Sequence, residues 1–314
     1  MSDKKIIAVI GATGAQGGGL VRAIQSDPSG EFRARAITRN PDSDQAKALA
    51  ALGAEVVQGD VDNPESIAAA FNGAYGAFCV TFFWAHMSVE REIGEAKVMA
   101  DAARAASVQH VVWSTLEDVR KYIPLSDPRM PTLQGKYKVP HFDGKGEADA
   151  FFADLPTTYL LTSFYWENLI YFGMNPKPDG NGRIALNLPM GEGHLSGIGA
   201  EDIGKCAYGI FKQGPSLIGE RIGIAGDHVT GAEMAATLTR IMGQDIYYNA
   251  IPFDAYRALG FPGADDLGNM FQFYHDCEAE FTAKRNLAFV RHLNPELQSF
   301  NAWVEANKDR IPLT

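Results

Sequence analysis

Apolar positions in the first half of the chain follow two alternating rhythms. Nearly continuous apolar runs, KIIAVI (5–10), ARAIT (34–38), AEVVQ (54–58), GAFCVT (76–81), HVVWS (110–114) and TYLLTS (158–163), predict strands. Between them, QAKALAAL (45–52), PESIAAAF (64–71) and REIGEAKVMADAARAA (91–106) read as helices. Asn63 offers a cap to the second of these helices, with Pro64 at its first position. Strands and helices in this alternation imply βαβ units and a parallel sheet covered on both faces. Coverage on both faces also explains why the strands are apolar throughout rather than at every second position.

After about residue 160 the rhythm loosens. NPKPDGNG (175–182) is a turn or loop, and it leads into a strand-like RIALNLP. A helix-like AEDIGKCAYGIFK (200–212), a strand RIGIAG (221–226) and a helix GAEMAATLTRIMG (231–243) follow. The last 60 residues read mostly as helix, NAWVEANKDRI (301–311) among them. The expectation is an α/β protein. A Rossmann-type, doubly wound parallel sheet occupies residues 1–160, and a smaller C-terminal α/β domain occupies 161–314, with some of its segments returning to the first sheet.

Composition narrows the classes. The 314 residues are 46% hydrophobic and 21% charged, ordinary values for a globular protein. The net charge of −10 argues against direct nucleic-acid binding, which needs a basic face to displace counterions. No apolar run approaches the roughly 20 residues that span a bilayer, and MSDKK is not followed by a signal-peptide core. Cys79, Cys206 and Cys277 stand far apart, which indicates buried, inert thiols rather than disulfides or a zinc ribbon. The seven histidines show no metal-binding spacing, so no metal is expected, and no G-x-S-x-G elbow is present. A cytoplasmic location is expected.

The segment GATGAQG (11–17) follows the first strand and opens a helix carrying Leu20, Val21 and Ile24. That is the setting of a dinucleotide-binding loop. Gly11 permits the tight turn, Gly14 lets a pyrophosphate approach backbone amides at the positive helix end, and Gly17 lets the helix pack close. Thr13, Ala15 and Gln16 complete the loop. The spacing is G-x-x-G-x-x-G rather than G-x-G-x-x-G. At the end of the second strand, where a carboxylate would bind the ribose of NAD, the chain reads AITRNPDSD. Arg39 there suits the 2′-phosphate of NADP. NADP(H) is therefore the expected cofactor, with NAD taken at lower affinity. Asp60 and Val61, after the third strand, are expected beside the adenine, and Thr81 and Phe82, after the fourth, beneath the cofactor. The aromatic strand ends FFW (82–84) and FYWEN (164–168) are expected to line the cleft, with Tyr165 and Asn168 nearest the nicotinamide.

GATGAQGG, TRNP, GAEVVQGD, HFDGKGE, ENL and GFPGADDLGNMFQFY together resemble the NmrA-like family of atypical short-chain dehydrogenases, and within it the HSCARG type of NADP(H)-sensing proteins. The resemblance runs nearly end to end. It implies a Rossmann domain with a small variable domain, a preference for NADP(H), and a role as a redox sensor that allows a regulatory protein partner and a homodimer. Members of the type carry a second basic residue four positions after the arginine; here that position is Ser43. Active short-chain reductases use Ser, Tyr and Lys, with Tyr four residues before Lys on one helix face. Here Ser114 ends the fifth strand, His141 stands where Tyr would be, and Lys145 follows four residues on. Two readings remain open. In the leading one, Lys145 holds the nicotinamide ribose and the protein is a cofactor-binding regulator without efficient hydride transfer. In the alternative, His141 is the general acid of an NADPH-dependent reductase of a small aromatic or enone-like carbonyl.

Overall fold

A computed structural model describes residues 4–313. Its first six strands are β1 (Lys5–Val9), β2 (Phe32–Thr38), β3 (Glu55–Gln58), β4 (Gly76–Cys79), β5 (His110–Thr115) and β6 (Thr157–Leu161). Seven later strands follow: β7 (Phe164–Tyr165), β8 (Lys177–Pro178), β9 (Ile184–Leu188), β10 (His194–Ile198), β11 (Arg221–Gly223), β12 (Asp227–Thr230) and β13 (Ile246–Ala250). The helices of the first half are α1 (Ala15–Gln25), α2 (Asp44–Ala51), α3 (Pro64–Phe71), α4 (Val89–Ala105) and α5 (Pro140–Ala148). Those of the second half are α6 (Asn168–Tyr171), α7 (Ala200–Gln213), α8 (Gly231–Met242), α9 (Phe253–Arg257), α10 (Ala264–Asp276), α11 (Glu278–Ala283), α12 (Leu287–Leu293) and α13 (Phe300–Asn307).

The main sheet has seven strands in the order β11-β6-β5-β4-β1-β2-β3, and every pair in it is parallel. The chain runs outward from β1 to β3 and then returns to lay β4 against the other side of β1. That reversal opens a crevice at the carboxyl ends of β1 and β4, the usual ligand position in such sheets. Helices cover both faces, as the apolar strands require. On one face Leu20, Val21 and Ile24 of α1 and Ile203, Ile210 and Phe211 of α7 pack on Ile7, Val9 and Ala34. On the other, Ile67 and Phe71 of α3 and Ala96, Met99 and Ala103 of α4 pack on Ala8, Ala77 and Trp113.

Two three-stranded sheets, β12-β10-β7 and β13-β9-β8, lie beyond β6 in the chain. Phe164, Trp166, Leu186, Met234, Leu238, Phe271 and Trp303 share one apolar core with their neighbours. β10, β12 and β13 do not stand out in the sequence, because their pairing and packing partners are distant in the chain. The expected strand over 221–226 stops at Gly223, and a separate strand begins at Asp227. The expected helix over 301–311 begins at Phe300 and tightens into a 3-10 turn at Lys308–Arg310. Among the described residues no helix is long and apolar enough to cross a membrane.

Helix α1, which carries the glycine loop, is held by α7 through glycine contacts. A Cβ on Gly204 would lie 2.1 Å from the Leu20 amide nitrogen, and one on Gly19 would lie 3.0 Å from the Glu201 carbonyl oxygen. Backbone cannot yield as a side-chain tip can. Gly204→Ala is therefore expected to destabilise the protein by about 1–3 kcal/mol, the cost of overpacking a tight contact, and to loosen the loop. Urea unfolding checks the first effect. A variant as stable as the native chain would mean that α7 does not fix α1.

Candidate functional site

The loop from β1 to α1 is built to leave amides free. Gly11 adopts a φ of +63°, a left-handed conformation that side chains disfavour. Its carbonyl accepts the Gly14 N–H at 2.8 Å and closes the turn. Gly14 is the N-cap of α1, no side chain caps that end, and the first turn carries no acidic residue. The unpaired N–H groups and the helix dipole therefore favour an anion there. An added Cβ at Gly17 would sit 2.5 Å from the Gly11 carbonyl, so the close packing read from the sequence is real. At Gly14 such a Cβ would meet only the Gly11 carbonyl, at 3.2 Å, and otherwise faces open space. Thr13 and Ala15 are exposed around it. This cradle fits a pyrophosphate.

On the β2 side, Arg39 is exposed, and its guanidinium enters no ion pair or hydrogen bond among the described residues. The Ser43 hydroxyl is occupied: it accepts the Ala46 N–H and donates to the Asn40 carbonyl, capping α2. After β3, Asp60 folds a turn by accepting the Asp62 N–H, while Val61 rests against the core under α3.

Three side-chain sets converge at the crevice. In the first, Ser114 at the end of β5 donates to Gln16 Oε1 at 2.7 Å, and Gln16 Nε2 donates to the Tyr165 hydroxyl at 2.5 Å. Burial pushes the Tyr165 phenol up to about 12, so it stays protonated. In the second, Lys145 Nζ donates to Thr81 Oγ1 at 2.6 Å and lies 3.0 Å from Glu92 Oε1. The Glu92 carboxylate is fully buried and also accepts the Thr81 hydroxyl at 2.5 Å. The third set joins His141 of α5 to Asp266 of α10. The imidazole Nδ1 bonds Asp266 Oδ1, and the His141 backbone N–H donates to Asp266 Oδ2 at 3.1 Å. The ring lies 4.9 Å from that of Trp84 and 4.8 Å from that of Phe142, measured between centroids. Among the described residues its Nε2 has no hydrogen-bond partner.

The structure thus groups Lys145 with Thr81 and His141 with Asp266, but it commits Ser114 to Gln16 rather than to either of them. Asn168 opens α6, where its carbonyl accepts the Phe172 N–H, and its side chain joins none of the three sets. Phe82 is largely exposed at the rim. The expectation that FYWEN lines the cleft is corrected. Phe164 and Trp166 are core residues, and Trp166 packs against Phe300 and Trp303; the tight apolar layer behind β7 takes them, leaving Tyr165 on the site side.

Sequence reading passed over Glu92 and Asp266. Glu92 had a signal: it shares an α4 stripe with Val89, Ala96, Met99 and Ala103, all buried, where a carboxylate must have a buried partner. Asp266 looked like one of two acidic residues at a helix start, an ordinary complement to the helix dipole. His86, Glu92 and Glu95 also gather in space, with His86 Nε2 3.7 Å from Glu92 and 3.6 Å from Glu95. However, His86 Nδ1 accepts the Ser88 N–H, which puts the ring proton on Nε2, opposite to the tautomer a metal would require there. Cys79 and Cys206 are buried and Cys277 is half-buried, and burial raises all three thiols, Cys277 to about 11.

Comparison with known proteins gives a consistent result. The model of the NmrA-like family matches residues 3–298. The NmrA-like family domain-containing oxidoreductase FrzB of a Cladobotryum species is 30% identical over 85% of this chain and 83% of its own. The oxidoreductase lnaB of Aspergillus flavus is 26% identical over 86% and 84%. Among solved structures, NmrA, a negative transcriptional regulator crystallised in complex with NADP, superposes with a TM-score of 0.78 at 24% identity, covering 97% and 95% of the two chains. The triphenylmethane reductase of a Citrobacter species, complexed with NADP(H), gives 0.71 at 18% identity, covering 98% and 99%. These two superpositions speak to the fold.

Removing Lys145 would strand the Glu92 carboxylate in the core. Lys145→Met is expected to destabilise the protein by about 3–5 kcal/mol, the cost of breaking a buried ion pair. Glu92→Gln in the same chain should restore most of the loss. Urea unfolding of both single variants and the double variant measures this coupling. Additive losses would mean that the two groups do not hold each other.

Proposed function

The chain belongs to the NmrA-like family, and on that premise we propose that it is an NADPH-dependent reductase of a carbonyl group, with His141 as its proton donor. The carrying observation is the His141–Asp266 pair: a buried imidazole held at Nδ1 by a carboxylate, with Nε2 unpartnered. The glycine cradle at α1 and the unpaired Arg39 guanidinium would hold the pyrophosphate and the 2′-phosphate. Solved structures of this fold crystallised with NADP and NADP(H) support this choice of dinucleotide. NADPH bound there would supply the hydride to the carbonyl carbon.

The protein's own part is electrostatic and positional. Asp266 accepts the Nδ1 proton, so the ring presents Nε2 to the site in one fixed orientation. With Nε2 protonated, the Asp266 carboxylate balances the imidazolium. As the carbon–oxygen π bond breaks, the Nε2 proton passes to the forming alkoxide. The ring is left neutral and regains its proton from solvent. Lys145, fixed by Thr81 and Glu92, presents an ammonium on the same helix face one turn away, suited to ribose hydroxyls. Gln16, Ser114 and Tyr165 supply a second polar wall.

One observation favours a different role. Ser114 is committed to Gln16, so the Ser of the reductase trio does not stand with His141 and Lys145. A regulatory NADP(H) sensor of the HSCARG type, in which Lys145 only binds ribose, is the second reading. The dinucleotide is the partner in both readings.

Replacing Arg39 by Ala should weaken NADP(H) by about 1.5–3 kcal/mol, the worth of a charge-assisted hydrogen bond, and leave NAD(H) affinity unchanged. Calorimetric titration of both dinucleotides measures this, and equal losses for the two would contradict the role of Arg39. His141→Ala should lower the rate of NADPH-dependent carbonyl reduction by about 10²–10⁴, the usual share of general acid catalysis. Asp266→Ala should lower it too, with dinucleotide affinity preserved in both variants. A native protein that binds NADPH and reduces no carbonyl across a broad panel would overturn the reductase and leave the sensor.

A further inference from the structure

One side of the His141 ring is apolar: Trp84 lies against it, and two segments meet at Trp84. One is 82–88, between β4 and α4; the other is 258–263, between α9 and α10. They touch at Trp84 and Gly263: a Cβ on Gly263 would lie 2.7 Å from Trp84 Cζ3. Gly263 has a φ of +83° and Gly260 a φ of +76°, so glycines in left-handed conformations bracket Phe261 and Pro262. Trp84 in turn lies against the His141 ring.

Nine large apolar side chains are exposed among the described residues, and four of them, Phe82, Met87, Leu259 and Phe261, lie on these two short segments. Scattered exposed apolar residues need no explanation, but a concentration beside a site does. Neither segment carries a Lys, Arg, Asp or Glu. Among the described residues, the one cation that adjoins them is already engaged. His86 turns its Nε2 inward toward Glu92 and Glu95, Asp265 accepts the Asp266 N–H, and Arg257 is bound to Asp254, Asn269 and Gln272. An anionic substrate would find no free cation here, whereas a planar apolar one would find ring faces.

We propose that the substrate is an uncharged aromatic carbonyl compound, and that Trp84 and Phe261 determine this specificity, Trp84 against the reacting end and Phe261 at the mouth. The assignment rests on the reductase reading for its site, but its test measures binding and needs no turnover. With NADPH present, acetophenone, cyclohexyl methyl ketone and 4-acetylbenzoate are titrated calorimetrically into the native protein and into Phe261→Ala and Trp84→Leu. Acetophenone is expected to bind about tenfold more tightly than either of the others, the worth of one good aromatic contact. Both variants should lose most of that preference while retaining native NADPH affinity. Phe261→Ala keeps the test decisive if Trp84→Leu disturbs the fold, because Phe261 is at the surface. Equal binding of the aromatic and ring-saturated ketones would overturn the proposal. So would an unchanged preference in Phe261→Ala, or a stable dimer of the native protein that Phe261→Ala dissociates and that binds no ketone. Aromatic binding without reduction would remove the reductase reading alone.

Discussion

Asp266 holds His141 by two bonds, one to the ring and one to the backbone amide. That contact ties the helix that follows β5 to α10, more than a hundred residues further along the chain. The placement of the His141 ring depends on it. The ring is aimed by it, Trp84 lies against the ring, and the 258–263 segment rests on Trp84. A histidine in place of a tyrosine looks like a loss when the chain is read linearly. With a carboxylate behind it, the same histidine becomes an oriented group that can carry a positive charge.

The rest of the site divides its labour by charge. The α1 end offers amides and no side-chain charge, suited to a pyrophosphate. Arg39 is an unpaired cation at the edge, whereas Lys145 is a paired cation inside. Glu92 makes the difference between those two cations: a buried ammonium is tolerable because a buried carboxylate lies 3.0 Å from it. The two segments that meet at Trp84, 82–88 and 258–263, carry no Lys, Arg, Asp or Glu. A net charge of −10 therefore coexists with a crevice whose unpaired charge is positive at Arg39.

How much of this was legible depended on whether the cause was local. The strand–glycine loop–helix unit was, because Gly14 and Gly17 answer to carbonyls of the same loop and Gly11 to its own left-handed turn. So was the alternation that produces the parallel sheet, because apolar period and helix caps are properties of short windows. The β10, β12 and β13 strands were not, since their pairing is decided by tertiary partners. Trp166 misled for the same reason: an aromatic residue at a strand end can face the site or the core, and the choice was made by Phe300 and Trp303 from the far end of the chain. Asp266 could not be assigned from its neighbours in sequence, because its partner lies 125 residues away.

The most direct test of the His141–Asp266 donor is isotopic. NADPH carrying deuterium at the transferable position of its nicotinamide is mixed with the native protein and an aromatic ketone, and the products are weighed by mass spectrometry. A working pair predicts one deuterium on the former carbonyl carbon for each dinucleotide oxidised, with the hydroxyl proton drawn from exchangeable sites. Dinucleotide that stays bound and is recovered unoxidised, with every ketone unlabelled, would contradict it.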